Sequence, residues 1–130
     1  PKQKPIQLNK DNCYLCKMLI TDPRFGAELV TKKGKVYIFD SIECLLNNVN
    51  KKDLDDSYIY QLLVTDFNQP HSLIDVKMAI YLLSPHLKSP MGFNVAAFQS
   101  SEFPTRYVRS KGGDIFDWKK VNSYYLDQLK

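Results

Sequence analysis

The chain has 130 residues, of which 44% are hydrophobic and 25% charged, enough apolar material for one compact unit with its own core. No apolar run approaches the ~20 residues that a bilayer crossing needs. Eighteen basic against fourteen acidic residues leave +4, but the lysines are scattered and Arg24, Arg106 and Arg109 are the only arginines. A nucleic-acid binder groups such charges on one element with aromatics between them. The charge therefore reads as a solvated basic surface, with no nucleic-acid partner and at most a weak preference for anionic surfaces.

The sequence opens at Pro1 rather than methionine, as expected of a mature or trimmed form, so the lack of a signal peptide carries no weight. Residues 1–10, PKQKPIQLNK, hold two prolines and three lysines and read as a flexible tether. The stretch DNCYLCKMLI, residues 11–20, then brings Cys13, Cys16 and Met18 within six positions. After Phe25 come two alternating runs around Lys32-Lys33-Gly34, where Gly34 can supply the positive φ of a tight hairpin. DSIECLLNNV predicts a helix: Asp40 and Glu43 have capping-box spacing, and Ile42, Leu45, Leu46 and Val49 recur at helical intervals. YIYQLLVTDF follows as a strand, which completes a ββαβ order over residues 11–70.

Residues 71–130 read the same way. KMAIYLL and GFNVAAF are short apolar runs, SSEFPTRYVRSKGG is a helix closed by Gly112-Gly113, and DIFDW is a strand. Pro104 falls in the first turn of that helix, where it is tolerated. Phe39, Ser41 and Glu43 align with Phe98, Ser100 and Glu102 at one constant offset. The predicted architecture is α+β: two similar ββαβ units packed together, a tether before them and a short C-terminal helix from KKVNSYYLDQLK.

The sulfur atoms carry the functional question. Cys13 and Cys16 are spaced as a disulfide, half of a zinc site, a redox pair or the soft end of a copper site. A structural zinc ion wants four ligands, and neither His71 nor His86 has zinc-finger spacing to a cysteine. A redox CxxC opens a helix after a strand, whereas this one precedes a strand region. Residues two apart in an extended segment face the same side, so Cys16 and Met18 can share one soft ion such as Cu(I). Met91, held between Pro90 and Gly92, is a second thioether in a turn; Met78 in KMAIYLL reads as core. Cys44 falls nearly opposite the apolar stripe of its helix, so either that helix is covered on both sides or the thiol is accessible.

The segments DNCYLCKMLITDPRFGAEL, YIFDSIECLL, LLVTDFNQPHSLIDVKMAIYLL and SPMGFNVAAFQS occur in the order found in the NosL family, and from about Asn12 to Trp118 the chain resembles those nitrous oxide reductase accessory proteins. The resemblance implies two similar ββαβ units, a fold shared with the organomercurial lyase core. It implies a Cu(I) site made by Cys16, Met18 and Met91, with Cys13 as an auxiliary or redox partner and no role assigned to Cys44. It also implies a non-enzymatic copper chaperone that serves nitrous oxide reductase or its copper-assembly proteins. Such a protein would sit in the bacterial envelope, facing the periplasm, through a lipid anchor on a cysteine upstream of Pro1. Two other functions compete: organomercurial-lyase-like protonolysis, which needs two cysteines and an acid on one carbon–mercury bond, and a binding module whose CxxC is a structural disulfide.

Overall fold

The computed structural model describes residues 2–51, 56–90 and 92–130. In chain order the described elements are β1 (Ala27–Thr31), β2 (Val36–Phe39), α1 (Ile42–Lys51), a 3-10 turn (Asp56–Tyr58), β3 (Ile59–Asp66), β4 (Gln69–Asp75), β5 (Ile80–Leu83), β6 (Val95–Phe98), α2 (Glu102–Lys111), β7 (Asp114–Phe116) and α3 (Trp118–Gln128). The order strand–strand–helix–strand thus occurs over β1–β3 and again over β5–β7, with β4 between them. β4 has no counterpart among the predicted elements. Its segment QPHSLID carries a proline and a histidine and few apolar residues, and it pairs only with β3.

The strands form one sheet in the order β2-β1-β3-β6-β5-β7. In each half the first strand is flanked antiparallel by the second and third: β1 by β2 and β3, β5 by β6 and β7. The halves join at one parallel register position, Asp66 opposite Ala97, where Phe67 N–H donates to the Ala97 carbonyl at 2.8 Å. Pleating sends alternate residues to opposite faces. Tyr81, Val95 and Ala97 therefore join Leu45, Leu46, Val121 and Tyr125 in the core beneath α1 and α3. Leu82, Ala96 and Phe98 face the other way and join Phe25 against Phe103, Tyr107 and Val108, the last three on α2. Helices cover both faces, as the apolar composition of β5 and β6 requires.

The hairpin at Gly34 is present, with φ +93° at that residue. α1 begins one residue later than a cap at Asp40 would place it. The Ser41 hydroxyl accepts from the Cys44 N–H at 3.3 Å, so Ser41 caps the helix and the Asp40 carboxylate is released for another role. Ile42, Leu45 and Leu46 are buried, and each such side chain stabilises the fold by about 1.5–3 kcal/mol. Residues 2–10 are largely exposed, yet Lys4 N–H donates to Glu28 Oε1 at 3.1 Å and Asn9 N–H to the Ile20 carbonyl at 2.9 Å, which ties this segment to β1 and to the 11–20 loop. No helix among the described residues is long and apolar enough to cross a membrane.

Candidate metal centre

Two segments far apart in sequence build the centre. Residues 11–20 fold back on themselves: Asn12 bridges Leu19, Ile20 N–H donates to Asp11 O, and Cys13 N–H donates to Met18 O, each hydrogen bond at 2.9 Å. At the tip Lys17 N–H returns to Cys13 O at 3.0 Å with Lys17 in the left-handed region, φ +66°. The segment is therefore a tight loop rather than an extended strand. Two-residue alternation therefore does not set the facing of Cys16 and Met18, because Lys17 between them is left-handed. Tyr14 N–H donates to the Ile38 carbonyl at 2.7 Å and fixes the loop against β2, beside the start of α1.

That docking brings Cys13, Cys16, Cys44 and Asp40 together, with their three sulfurs and a carboxylate oxygen all within 4.8 Å of one another. Cys13, Asp40 and Cys44 are buried at 0%, 3% and 1% exposure, while Cys16 is partly exposed and forms the open side. Asp40 accepts from both flanking thiols, Cys44 Sγ at 3.3 Å and Cys16 Sγ at 3.5 Å. All three cysteines are free thiols. Cys44 is thus buried on the side of α1 away from its apolar stripe, because the 11–20 loop covers that side.

The electrostatics of the three thiols differ. Cys13 is pulled down to about 6, mainly by the Cys44 thiol hydrogen directed at its sulfur and further by the backbone N–H groups of Cys16, Asp40 and Leu15, against the opposing effect of burial. One Cys44 proton serves two acceptors, the Cys13 sulfur and Asp40. The three N–H groups favour a Cys13 thiolate whichever acceptor holds it. Burial pushes the Cys16 thiol up. Cys44 is also pushed up, first because its hydrogen is engaged by Cys13 and then by burial. A buried thiolate beside two protonated thiols is a soft-donor set with one ligand already deprotonated at neutral pH.

Of the residues singled out in the sequence, Cys13 and Cys16 come together. Met18 lies at the base of the same loop with its side chain 53% exposed. Met91 lies outside the described residues; the backbone of Phe93, two positions later, lies near the Glu43 carboxyl on α1 and opposes the upward push of burial on it. His71 and His86 are exposed and neither belongs to the cluster. Asp40 and Cys44 are members that the copper ligand set expected from the sequence does not contain; Asp40 lies just before α1, outside the helix that Ser41 caps, and meets Cys44 through the 3.3 Å hydrogen bond.

The NosL family model matches residues 5–126. The copper-binding lipoprotein NosL of Stutzerimonas stutzeri is 25% identical over 126 residues, which cover 92% of this chain and 66% of that protein. The crystal structure of the copper chaperone NosL from Shewanella denitrificans shares the fold, with a TM-score of 0.69 at 23% identity over 92% of this chain and 95% of that one. Neither relative is named as an enzyme.

Proposed function

The chain belongs to the NosL family, and from that premise we propose that it is a copper chaperone, holding Cu(I) on the sulfurs of Cys13, Cys16 and Cys44 and releasing it by ligand exchange. The observation that carries this is the convergence of three sulfurs and one carboxylate within 4.8 Å, drawn from a loop and a helix about thirty residues apart. Cu(I) is soft and is satisfied by two or three sulfur donors. Cys13 offers its thiolate at neutral pH, and Cys16 and Cys44 lose their protons as the ion binds. Asp40, hydrogen-bonded to both, is placed to accept and pass on those protons.

Cys16 on the open side is the point where an incoming donor can attack an undercoordinated ion, so transfer runs as stepwise exchange rather than as release to water. The exposed Met18 and the distant Met91 supply thioethers to the loaded or exchanging state, which keeps the family's cysteine–methionine set within the same proposal. Support for Met91 is the place of Phe93, two residues after it, whose backbone lies near the Glu43 carboxyl on α1. The recipient proposed is nitrous oxide reductase or the proteins that assemble its copper sites. The place proposed is the bacterial envelope, facing the periplasm, through a lipid anchor like that of the Stutzerimonas stutzeri relative, which is named as a lipoprotein.

Anaerobic Cu(I) titration against a competing chelator tests the site. Wild type should bind one ion tightly, Cys13→Ser should lose at least tenfold in affinity, and Met18→Ala and Met91→Ala should lose less. Affinity equal to wild type in Cys13→Ser would remove the thiolate from the site. A second reading draws on the same geometry: two thiols hydrogen-bonded to one buried carboxylate are the groups that carbon–mercury protonolysis needs. Turnover of an alkylmercury substrate would favour it over copper transfer.

A further inference from the structure

Next to the thiol cluster the surface becomes aromatic and cationic. Tyr14 and Tyr37 meet edge to face with ring centroids 4.5 Å apart. Lys17 Nζ lies 4.8 Å from the centre of the Tyr14 ring and Lys35 Nζ 5.1 Å from that of Tyr37. Lys4 joins them around an open groove of about 360 Å³ that also includes Cys13 among its walls. Its single carboxylate, Asp11, is already engaged by Gln7 N–H at 2.7 Å. None of the three lysines is in an ion pair among the described residues. Cation–π contact holds two of the ammoniums over rigid rings, so little side-chain freedom is lost when they meet an anion.

We propose that this rim is the docking surface for an acidic face of the protein that exchanges copper with this chain, an inference that rests on the copper reading above. Three unpaired ammoniums around a concave groove select carboxylates set on a complementary protein surface. A lipid surface is the weaker fit, because stable attraction to anionic lipid takes a cluster of about four to eight basic residues. Exposed Tyr14 and Leu19 add the apolar contact that a transient interface needs at its centre. Docking here brings a partner's sulfur donor beside the loop that carries Cys13 and the partly exposed Cys16, and the charges raise encounter rates about 10- to 1,000-fold at low salt.

The test is stopped-flow Cu(I) transfer to the full chain from a loaded peptide carrying a methionine pair flanked by glutamates, beside the same peptide with glutamines. The double reversal Lys17→Glu with Lys35→Glu should slow transfer from the glutamate peptide about tenfold or more, lose that effect at high salt, and leave the glutamine peptide within twofold. The same charge change placed on α3, Lys119→Glu with Lys120→Glu, should leave both rates unaltered. No slowing, or equal slowing by the two reversals, overturns the rim as docking surface. So does binding to phosphatidylglycerol vesicles that depends on Lys17 and Lys35 while the peptides are not distinguished. If the wild-type chain takes Cu(I) from no chelator, the copper reading itself falls. If it binds the ion at equilibrium and the rim variants transfer at the wild-type rate, the docking inference alone falls.

Discussion

Removing the Cys44 thiol is the most direct probe of the unequal thiol acidities. Four hydrogen bonds outweigh burial and bring Cys13 from 9.0 down to about 6, the strongest of them from Cys44. Cys44→Ala removes that donor and therefore moves the Cys13 titration upward. At pH 7 a wild-type value of about 6 leaves the thiolate about nine-tenths populated, and the variant should hold a clearly smaller share. Ultraviolet thiolate absorbance of the metal-free reduced protein against pH reads this, with the rate of iodoacetamide labelling as a second measure. Cys44→Ser keeps a hydroxyl donor and should fall between the two. The sign carries over to stability: a folded-state value below the unfolded one gives stability that is present above about 9 and is lost as pH falls through about 6. A titration near 6 that persists in Cys44→Ala would refute the assigned cause, and the absence of any thiol titrating below 8 in wild type would refute the thiolate itself.

Two further outcomes concern the scaffold. Glu28 is fully buried on β1 and burial pushes its carboxyl up to about 7, so it contributes stability below its unfolded value of 4.5 that is lost as pH rises through about 7. Glu28→Gln keeps the acceptor for Lys4 N–H without the buried charge; it should raise stability by roughly 2 kcal/mol at pH 8 and by little at pH 4.5, read by urea unfolding at the two pH values. Gly113 has φ +118° and an added Cβ would lie 2.7 Å from the Leu83 carbonyl oxygen, so Gly113→Ala should cost about 1–3 kcal/mol, visible as a fall in thermal midpoint.

Much of the fold can be read from local pattern, because its elements are short and strongly patterned. The 3.6-residue recurrence of Ile42, Leu45, Leu46 and Val49 is enough for α1, and the Gly112-Gly113 pair is enough for the end of α2, where Gly112 N–H returns to the Val108 carbonyl. β4 escapes such reading because an edge strand shares its burial unevenly and tolerates proline and histidine. The site was legible as chemistry and not as geometry. The Cys13, Cys16 and Met18 spacing leaves disulfide and soft metal both open until the family resemblance favours copper, and the left-handed turn at Lys17 redirects the loop, since φ at a lysine has no signature in sequence. The Asp40 and Cys44 pair was hidden for a different reason: an aspartate just before a helix is read as its cap, and only the tertiary contact of the 11–20 loop shows what that carboxylate faces.

The one-residue division between Ser41 and Asp40 has a practical result. Since the serine anchors the start of α1, the neighbouring carboxylate is left to the Cys16 and Cys44 thiols, and on the copper reading proposed above a change at position 40 would alter the grip on the ion without unravelling the helix. Anchorage and tuning would then fall to adjacent side chains, so that one could vary while the other keeps the scaffold whole.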